Sequence, residues 1–597
     1  MKIGIEIHQR LDTTKLFCDC RSALADDAKP DVSIQRRLHP VFSELGEVDQ
    51  ASQTEFAKGK LFKYQVFNSS NCLVETDEEP PKTLNLEALK IALQIAIQLR
   101  ASPVGEVHIM RKMVIDGSNT AGFQRTAVVA MNGHIGSSKG GIGIPLIAIE
   151  EESAGIVSAS DSEAVYRLDR LGIPLVEITT TPDIKDGAHL VEVAEKIGMI
   201  LRTTGKVARG IGTIRQDVNI STEGGARVEL KGAQDLKMLP KLVENEEKRQ
   251  LELVKILTEL RSRKAIPVKN QIADVTSIFQ STKAAILSSG LKAGASVLAQ
   301  KMPAHKGMLG REIQPGKRYG TELSDYAKKA GVKGIIHSDE GMEKYGITKE
   351  EESALRKELG MDGDDAFMLV VAQKAQAEAA IGYALERANM DSIPEETRRA
   401  NPDGTSTFMR PISGKARLYP ETDVPPLTID EELLDSIETG ESLEDKKKKL
   451  EKMLNKEMAG RIIKSRHLHV FEKLTAAGAD PMLVAATLED TLVSLRREGI
   501  EFKEVESTLV EMFAEYKKGS FVKAAIPEVL KGMAKGARVE AVLKVFRLQK
   551  ITGDALEKIV SECGYDMTKV MQKYRLQADP AEVAAIIKKP KTSSDYV

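Results

Sequence analysis

The chain begins with an alternation of apolar and polar side chains that is typical of a β-strand. In the segment IGIEIHQRL, residues 3–11, isoleucines occupy positions 3, 5 and 7, and Glu6 and His8 occupy alternate positions between and after them. Successive side chains of a strand point to opposite faces of a sheet. We therefore expect the isoleucines to face a core and Glu6 and His8 to share the other face.

Two later segments also combine apolar strand patterns with carboxylates. In IPLIAIEEESAG, residues 144–155, the alternation ends in three consecutive glutamates, so at least one of them should lie on a face of the sheet. In RLGIPLVEITT, residues 170–180, Glu177 alone interrupts a nearly continuous apolar run. A lone buried carboxylate costs several kcal/mol unless it is paired or binds a metal ion. Glu177 is therefore predicted to have a partner.

A third segment, IRQDVNISTEGGARVELK at residues 214–231, predicts a β-hairpin that turns through Glu223 and two glycines. Taken alone, such a hairpin is best explained by a solvent-facing sheet with cross-strand ion pairs. Four acid-bearing strands before residue 232 favour one common site instead. The polar side chains of the hairpin alternate with apolar ones along its two strands: Arg215, Asp217, Asn219, Ser221, Arg227, Glu229 and Lys231.

The residue types on these strands indicate one kind of chemistry. A cluster of carboxylates and an imidazole is a set of hard donors suited to magnesium or manganese. Neighbouring arginine and lysine side chains suit phosphate oxygens. The combination predicts phosphoryl transfer by positioning, without a covalent nucleophile. The predicted cluster consists of Glu6, His8, Glu152 and Glu177.

The periodicity changes along the chain and predicts a multidomain α+β protein. An antiparallel-sheet catalytic cradle is followed by strand-loop-helix units, by a segment rich in proline and glycine, and by an almost wholly helical half. The predicted regions are 1–275 (first part of the cradle), 276–400 (inserted α/β domain), 401–430 (returning segment of the cradle), 431–515 (helical domain) and 516–597 (helical tail domain).

Composition places the protein among soluble globular proteins. The chain has 597 residues, of which 42% are apolar and 29% charged, and no apolar run approaches the ~18 residues of a membrane span. We expect a cytoplasmic protein without a membrane partner. The net charge is −2, but residues 517–597 contain 16 basic and 9 acidic residues, a net charge of +7 that could face phosphates.

The four cysteines are too few for a disulfide framework in a chain of this length, which agrees with a reducing compartment. Cys18, Cys20 and Cys72 could converge on a zinc ion, but the sequence shows no obvious fourth ligand. Three packed, inert thiols are the favoured interpretation.

Five segments between residues 3 and 236, in the expected order, resemble the GatB/GatE family of glutamyl-tRNA(Gln) amidotransferases, and the match continues over nearly the whole chain. The resemblance is to the archaeal GatE type and, more distantly, to the bacterial and organellar GatB type. The segments are IGIEIHQRLDTTKLFCDC, CLVETDEEPP, MRKMVIDGSNTAGFQRT, RLDRLGIPLVEITTTPDI and GTIRQDVNISTEGGARVELKGAQDL.

This resemblance implies a reaction, its cofactors and a partner. ATP, with magnesium, phosphorylates the γ-carboxylate of glutamate on tRNA(Gln), and ammonia then displaces phosphate. A separate asparaginase-like amidase supplies the ammonia, in a heterotetramer that contains two copies of each of the two proteins.

The resemblance extends to the later regions. The segment GREIQPGKRYGTELSDYAKKAGVKGIIHSDE, residues 310–340, is similar to the domain inserted in bacterial aspartyl-tRNA synthetases. The C-terminal helices resemble a tail domain that contacts tRNA in the family. This expectation agrees with the positive charge of residues 517–597.

The resemblance further implies roles for individual residues. The family's magnesium ligands fall on Glu6, His8, Glu152 and Glu177. Relatives usually have Glu-Glu-Asp-Ala where residues 151–154 of this chain are Glu-Glu-Ser-Ala, so Glu151 is a rival of Glu152. ATP or the substrate is expected to contact Asp116, Ser118, Gln124, Arg215, Asp217, Asn219, Glu229, Lys231 and Arg410.

Two other functions fit parts of the pattern. One is a different ATP-dependent ligase that activates a carboxylate, because the inserted domain also occurs in synthetases. The other is a non-catalytic tRNA-binding scaffold for a partner amidase. A scaffold has no need for acids on buried strands, so the acid-bearing strands favour the amidotransferase.

Overall fold

A computed structural model describes residues 1–588 except 26–27, 42–45, 47–49, 57–58, 161, 413–416, 438–440, 466 and 503. It divides into two compact units, Met1–Gly440 and Glu441–Val597. The strands of the first unit are β1 Lys2–Arg10, β2 Val32–Arg36, β3 Leu61–Val66, β4 Ser102–Pro103, β5 Glu106–Val107, β6 Ile109–Met113, β7 Phe123–Ser137, β8 Gly140–Glu151, β9 Gly155–Ala159, β10 Glu163–Arg167, β11 Pro174–Thr179, β12 Ile214–Ser221, β13 Val228–Lys231, β14 Ile272–Asp274, β15 Ser296–Met302, β16 Glu312–Gln314, β17 Lys317–Arg318, β18 Ile336–His337, β19 Ala366–Ala372, β20 Glu396–Ala400, β21 Ser406–Pro411, β22 Leu418–Pro420 and β23 Leu427–Thr428.

Helices occur in both units. Those of the first unit are α1 Gln50–Phe56, α2 Leu86–Gln98, α3 Gly187–Thr203, α4 Leu239–Ser262, α5 Ala285–Lys292, α6 Tyr319–Ala327, α7 Lys349–Glu358, α8 Lys374–Ala388 and α9 Glu431–Asp435. Those of the second unit are α10 Leu443–Met453, α11 Lys456–Lys464, α12 Leu468–Ala476, α13 Pro481–Ala486, α14 Leu492–Arg497, α15 Val505–Lys517, α16 Ile526–Met533, α17 Val539–Val545, α18 Gly553–Glu562, α19 Met567–Tyr574 and α20 Pro580–Lys588.

A large sheet organises the first unit and has β1 near its centre. The strand order is β21-β20-β13-β12-β1-β11-β8-β7-β6-β22, and β4 pairs with β7. β1 runs antiparallel to both of its neighbours, β11 and β12. Ile3, Ile5 and Ile7 are buried, as the alternation predicted. The large sheet and the helical second unit confirm the α+β prediction.

Side-chain caps fix where the helices beside this sheet begin. The Asn85 Oδ1 accepts a hydrogen bond from the backbone N–H of Ala88 at 3.0 Å, at the start of α2. The Asp186 carboxylate accepts one from the backbone N–H of His189 at 2.9 Å, at the start of α3. Such caps satisfy N–H groups that have no partner within the helix. α2 contacts β7 and β8, and α3 contacts β1.

The inserted segment has a small antiparallel sheet of its own, β14-β15-β19-β18. The side chains on its two faces belong to two separate hydrophobic clusters. Leu298 and Val370 belong to one cluster, and Val297 and Leu369 belong to the other. The strand pairing moves the ends of the insertion several residues from the predicted limits of 276 and 400. β14 pairs with β15 of the small sheet, whereas β20 pairs with β13 of the large sheet.

A buried network of charged side chains joins the inserted segment to α4 and to the large sheet. The Glu322 carboxylate on α6 accepts hydrogen bonds from Arg249 on α4 at 3.1 Å and from Arg398 on β20 at 2.9 Å. Arg249 also donates to Glu246 at 2.9 Å, and Arg398 donates to Glu396 at 2.5 Å. All five side chains are buried. Each charge therefore has partners inside the fold, as buried charges require.

Beyond the insertion, the chain returns to the large sheet. β21 pairs with β20, and β22 pairs with β6. The buried Glu421 carboxylate, just after β22, accepts hydrogen bonds from Arg125 on β7 at 2.7 Å and from Arg111 on β6. These contacts hold the returning segment, residues 401–430, against β6 and β7.

The second unit is helical. A π-helical turn, Thr487–Thr491, joins α13 and α14, and Leu556, Val560 and Val570 belong to a core formed by α18 to α20. The predicted border after residue 430 lies before α9 of the first unit, and the one after residue 515 falls inside α15. None of the described helices combines the length and the apolar character needed to cross a membrane.

We predict that Glu421→Gln lowers the free energy of unfolding by about 3 kcal/mol at pH 7, the scale of breaking a buried ion pair. Burial alone would raise the pKa of Glu421, but hydrogen bonds from Arg111 and Arg125 lower it to about 2. Because this value lies below the ordinary 4.5, the stabilisation is present above pH 4.5 and is lost as the pH falls toward 2. Urea unfolding followed by circular dichroism at several pH values measures the difference.

The matched control is Asp423→Asn, because Asp423 also binds Arg111, at 3.0 Å, but is exposed. It should cost less than about 1 kcal/mol. Equal losses for the two variants would contradict the assigned role of Glu421.

Candidate active site

A cavity of about 520 Å³ opens on the polar face of the large sheet. Its lining is mostly charged and comes from strands on both sides of β1. The lining residues are Glu6, His8, Lys112, Gln124, Glu150, Ser153, Glu177, Arg215, Asp217, Asn219, Arg227, Glu229, Lys231, Gly232, Gln234, Arg410, Ile412 and Arg417.

The register of the strands explains why these side chains meet. His8 lies opposite Glu177 on β11 and opposite Arg215 on β12, and Glu6 lies opposite Asp217. Directly opposed residues in a sheet project from the same face. The alternation on β1 that buries the isoleucines therefore brings its two polar residues beside the acids of both neighbouring strands.

The cavity contains two clusters of ionisable side chains, and the first consists of His8, Glu150 and Glu177. The His8 Nε2 lies 3.5 Å from Glu150 Oε1 and 3.5 Å from Glu177 Oε2, and Lys112 Nζ donates to Glu150 Oε2 at 2.6 Å. Burial would lower the pKa of His8, but the hydrogen bond to Glu177 and the charge of Glu150 outweigh it and raise the pKa to about 9. One nitrogen and an oxygen from each carboxylate lie within 4.8 Å of one another, a spacing that can enclose a single cation.

Glu6, Asp217 and Glu229 form a second acidic group, also with ligand atoms within 4.8 Å of one another. Lys231 Nζ lies 2.7 Å from Asp217 Oδ2 and 2.7 Å from Glu229 Oε1. Glu6 accepts a hydrogen bond from Asn219 Nδ2 at 3.1 Å. Burial and the charges of neighbouring acids raise the pKa of Glu6 to about 7, although Lys231 opposes the rise. The Glu6 carboxylate is therefore only partly neutralised by Lys231.

Glu152, which the sequence grouped with Glu6, His8 and Glu177, does not line the cavity. It is fully buried, and three guanidinium groups surround it. Its oxygens accept hydrogen bonds from Arg10, one of them at 3.0 Å, and lie 3.4 Å from Arg170 and 3.2 Å from Arg215. Because these arginines already occupy its oxygens, Glu152 lies apart from Glu6, His8 and Glu177, and its assignment as a metal ligand stays a prediction.

Glu150 lies in the cavity instead, and its rival Glu151 does not. On β8, Ala148 is opposite Glu177, so Glu150, two residues later, is on the same face. Glu151 points to the other face, where it accepts hydrogen bonds from Arg125, the backbone one at 3.0 Å. The three consecutive glutamates therefore have three different surroundings, and only the strand register separates them.

The other predicted contact residues divide into two groups. Gln124, Arg215, Asp217, Asn219, Glu229, Lys231 and Arg410 all line the cavity. Asp116 and Ser118 do not, because their loop packs elsewhere. The Asp116 carboxylate caps the backbone N–H of Ser118 at 2.9 Å, the Asp116 carbonyl accepts from Tyr166 at 2.8 Å, and the Ser118 carbonyl accepts from Ala154 at 2.8 Å. The expected contact of Asp116 and Ser118 with ATP or the substrate therefore stays a prediction.

The sequence interpretation also missed residues of the site. Lys112 on β6 and Glu150 on β8 form an ion pair in the cavity at 2.6 Å. Lys112 could have been found from the alternation in β6, where Met110 and Lys112 oppose Thr126 and Gln124 of β7.

A comparison with protein families matches residues 1–435 to the GatB/GatE catalytic domain. The chain belongs to this family. The matched residues include every residue that lines the cavity. A second family model, described as the GatB domain, matches residues 469–565 in the helical unit.

Curated relatives of the GatB/GatE family cover nearly the whole chain, and they are named as the E-type component of glutamyl-tRNA(Gln) amidotransferase. The relative from Pyrococcus furiosus is 46% identical over 574 residues, which cover 94% of this chain and 90% of the relative. The protein of the same name from Methanocaldococcus jannaschii is 43% identical over 619 residues, with coverage of 99% and 98%. The one from Methanosarcina barkeri is 45% identical over 541 residues, with coverage of 89% and 84%.

We predict that Glu152→Gln destabilises the fold more than Glu150→Gln does. Losing the Glu152 charge leaves buried guanidinium groups without their carboxylate, at a cost of about 3 kcal/mol. Glu150→Gln also loses an ion pair, with Lys112, but it relieves repulsion from Glu177 and leaves one partly exposed ammonium group rather than three guanidinium groups, so its cost should be smaller. Urea unfolding with a chelator present, followed by circular dichroism, compares the two variants. Equal destabilisation would contradict the separate roles of these neighbours.

Proposed function

We propose that this chain is the part of a tRNA-dependent amidotransferase that activates glutamate on tRNA(Gln). In this reaction ATP phosphorylates the γ-carboxylate, and ammonia then displaces phosphate to give glutaminyl-tRNA(Gln). The names of the curated relatives support the overall reaction. The observation that carries the assignment to this chain is the cavity, in which acidic groups at the centre lie beside arginine and lysine side chains.

We propose that the acidic centre holds Mg²⁺. The residues would be Glu6, His8, Glu150 and Glu177, with Glu150 in place of the predicted Glu152. Carboxylate oxygens suit Mg²⁺, and the imidazole also allows Mn²⁺. The ion would offset negative charge on the phosphates during transfer. Glu177 supports this role because its side chain is 16% exposed toward the cavity, whereas that of Glu152 is closed off by arginines.

Basic side chains around this centre would bind phosphate oxygens of ATP. Lys112 and Arg215 come from the large sheet, and Arg410 and Arg417 come from the returning segment. Arginine binds phosphate through two parallel N–H groups, which fixes its orientation as well as its position. The chain's own contribution to the reaction would be to align the γ-phosphorus with the glutamate carboxylate and to exclude competing water.

The remaining regions would serve the same reaction. We propose that the inserted segment is related to the domain inserted in bacterial aspartyl-tRNA synthetases, and that the helical tail contacts tRNA. Ammonia would come from a separate asparaginase-like amidase, in a cytoplasmic heterotetramer with two copies of each protein. The positive charge of residues 517–597 supports the tRNA contact, and Lys544, Arg547, Lys569 and Lys573 are exposed there.

We predict that Glu177→Gln and Glu150→Gln each lower the rate of glutaminyl-tRNA formation at least about 100-fold, the scale of removing one group that stabilises a transition state. The assay supplies the full chain with ATP, Mg²⁺, ammonium and glutamyl-tRNA(Gln), and measures glutaminyl-tRNA and phosphate. Affinity for tRNA should stay within a few-fold, because the substitutions leave the tail unchanged.

Glu163→Gln is the matched control, since Glu163 pairs with the partly exposed Lys63 on the separate four-stranded sheet β2-β3-β10-β9. It should leave the rate unchanged. If wild-type protein binds the tRNA but forms no product with free ammonium, the chain is a tRNA-binding scaffold. Product formation with a different acceptor would instead identify another ligase.

We predict that Lys569→Ala combined with Lys573→Ala weakens tRNA binding and reduces its salt dependence. Both lysines are exposed on α19. Each lost phosphate contact should reduce the slope of log affinity against log salt by somewhat less than ~1. The control pair, Lys448→Ala with Lys452→Ala, lies on α10, where the lysine run should be a solvated face. Equal effects of the two pairs on the salt slope would remove α19 from the interface.

A further inference from the structure

The inserted segment holds the strand that carries Arg410. That strand, β21, is the outermost one at its edge of the large sheet in the part of the chain that the structure describes, and it pairs with β20 on its inner side. The outer side of an edge strand leaves backbone N–H and C=O groups without partners in the sheet. In this protein, a side chain of the insertion binds both backbone groups of Ser406, at the start of β21.

That side chain, Gln314, acts as a substitute for a neighbouring strand. It is fully buried on β16, its Oε1 accepts a hydrogen bond from the backbone N–H of Ser406 at 2.7 Å, and its Nε2 donates to the Ser406 carbonyl at 3.2 Å. An opposed residue in an antiparallel strand would supply the same donor and acceptor. Lys317 on β17 adds two contacts, because its Nζ donates to the Ser406 carbonyl at 2.7 Å and to Thr407 Oγ1 at 2.6 Å. The insertion therefore fixes the beginning of β21.

The next residue of β21, Phe408, packs against α6 of the insertion. Its ring stacks on that of Tyr326, with the ring centres 4.2 Å apart and the planes at 27° to each other. The Lys329 ammonium lies 4.2 Å from the centre of the Tyr326 ring and 5.2 Å from that of Phe408. Tyr326 is buried, and its hydroxyl donates to Glu396 Oε2 on β20 at 3.1 Å. Stacking and cation–π contacts therefore hold Phe408 against a ring that is itself fixed to the large sheet.

A β-bulge separates Phe408 from Arg410 and turns the two side chains to opposite faces of the sheet. Thr397 of β20 pairs with Arg410, but its neighbour Arg398 pairs with Phe408, so β21 has one extra residue, Met409, at this point. Opposed residues share a face of a sheet, and consecutive residues of a strand do not. Phe408 therefore lies on the Arg398 face, toward α6, whereas Arg410 lies on the Thr397 face.

The Thr397 face is the face of the cavity. Thr397 is opposite Glu229 of β13, and its Oγ1 donates to Glu229 Oε2 at 2.8 Å. Both Glu229 and Arg410 line the cavity. The ladder of hydrogen bonds is locally disrupted at a bulge, so pairing with β20 alone defines the direction of Arg410 poorly. The contacts of Ser406 and Phe408 with the insertion supply the missing support on the other side of the bulge.

We propose that the inserted segment positions Arg410 for the phosphates of ATP. Gln314, Lys317 and Tyr326 are positioning residues, because they hold β21 without lining the cavity. This role rests on the proposed function, in which Arg410 binds phosphate oxygens. A guanidinium group binds phosphate through two parallel N–H groups, so its direction matters as well as its distance. A misplacement of about 1 Å at a reaction centre can reduce the rate about 100-fold.

The test measures the dissociation constant of ATP with Mg²⁺ by titration calorimetry, and the rate of glutaminyl-tRNA formation, with the full chain. Phe408→Ala and Lys317→Met should each weaken ATP binding about 10-fold, the lower end of losing a hydrogen bond to a charged group. Phe408→Tyr keeps the stacked ring and should retain wild-type affinity. In a chain that already carries Arg410→Ala, neither Phe408→Ala nor Lys317→Met should weaken binding further, because the contact through which each acts is gone.

Lys301→Met is the matched control, since the Lys301 ammonium also binds a backbone carbonyl, that of Gly360 at 2.6 Å, but within the insertion. It should leave ATP binding unchanged. Lys317→Met covers the case in which Phe408→Ala does not fold, because Lys317 is only partly buried.

The proposal is overturned if a folded Phe408→Ala or Lys317→Met variant binds ATP as tightly as the wild type. It is also overturned if these substitutions weaken binding equally with and without Arg410, or if Lys301→Met weakens it as much. A wild type that binds ATP but forms no product contradicts the proposed function alone, whereas a wild type that binds no ATP contradicts both.

Discussion

The register of β1 between β11 and β12 is the constraint on which the site depends. It places Glu6 opposite Asp217 and His8 opposite Glu177, all on one face of the sheet. Like charges at such short range repel, so the fold must supply cations to the same face. Lys231 and Lys112 do this for Asp217 and Glu150. The position of the cavity and the pairing of its central acids with lysines follow from this register.

The buried apolar side chains of β1 stabilise this register. A slip of one residue would turn Ile3, Ile5 and Ile7 toward the cavity and would bury Glu6 and His8 in the core. Because the isoleucines are fully buried, that slip would cost several kcal/mol of apolar burial as well as the transfer of two polar groups into the core. The core residues thus define the geometry of the acids, although they do not touch the cavity.

Short-range patterns in the sequence predicted only part of this arrangement. Alternation placed Glu6 and His8 on one face, and the interrupted apolar run showed that Glu177 needs a partner. Choosing among residues 150–152 required the pairing of β8 with β11, which joins segments whose register no local pattern specifies. The residues at which the insertion begins and ends also depend on strand pairing, of β14 with β15 and of β20 with β13.

Burial of an acid therefore does not by itself identify a functional residue. Glu152 is more buried than Glu177, yet three arginines occupy its oxygens and make it part of the scaffold. Glu177 keeps a side chain that is 16% exposed beside an imidazole and an open volume. An acid that binds a metal ion must be held in place by the fold while retaining an oxygen that the fold does not fully neutralise. That distinction separates Glu177 from Glu152, and it is visible only in the arrangement of their partners.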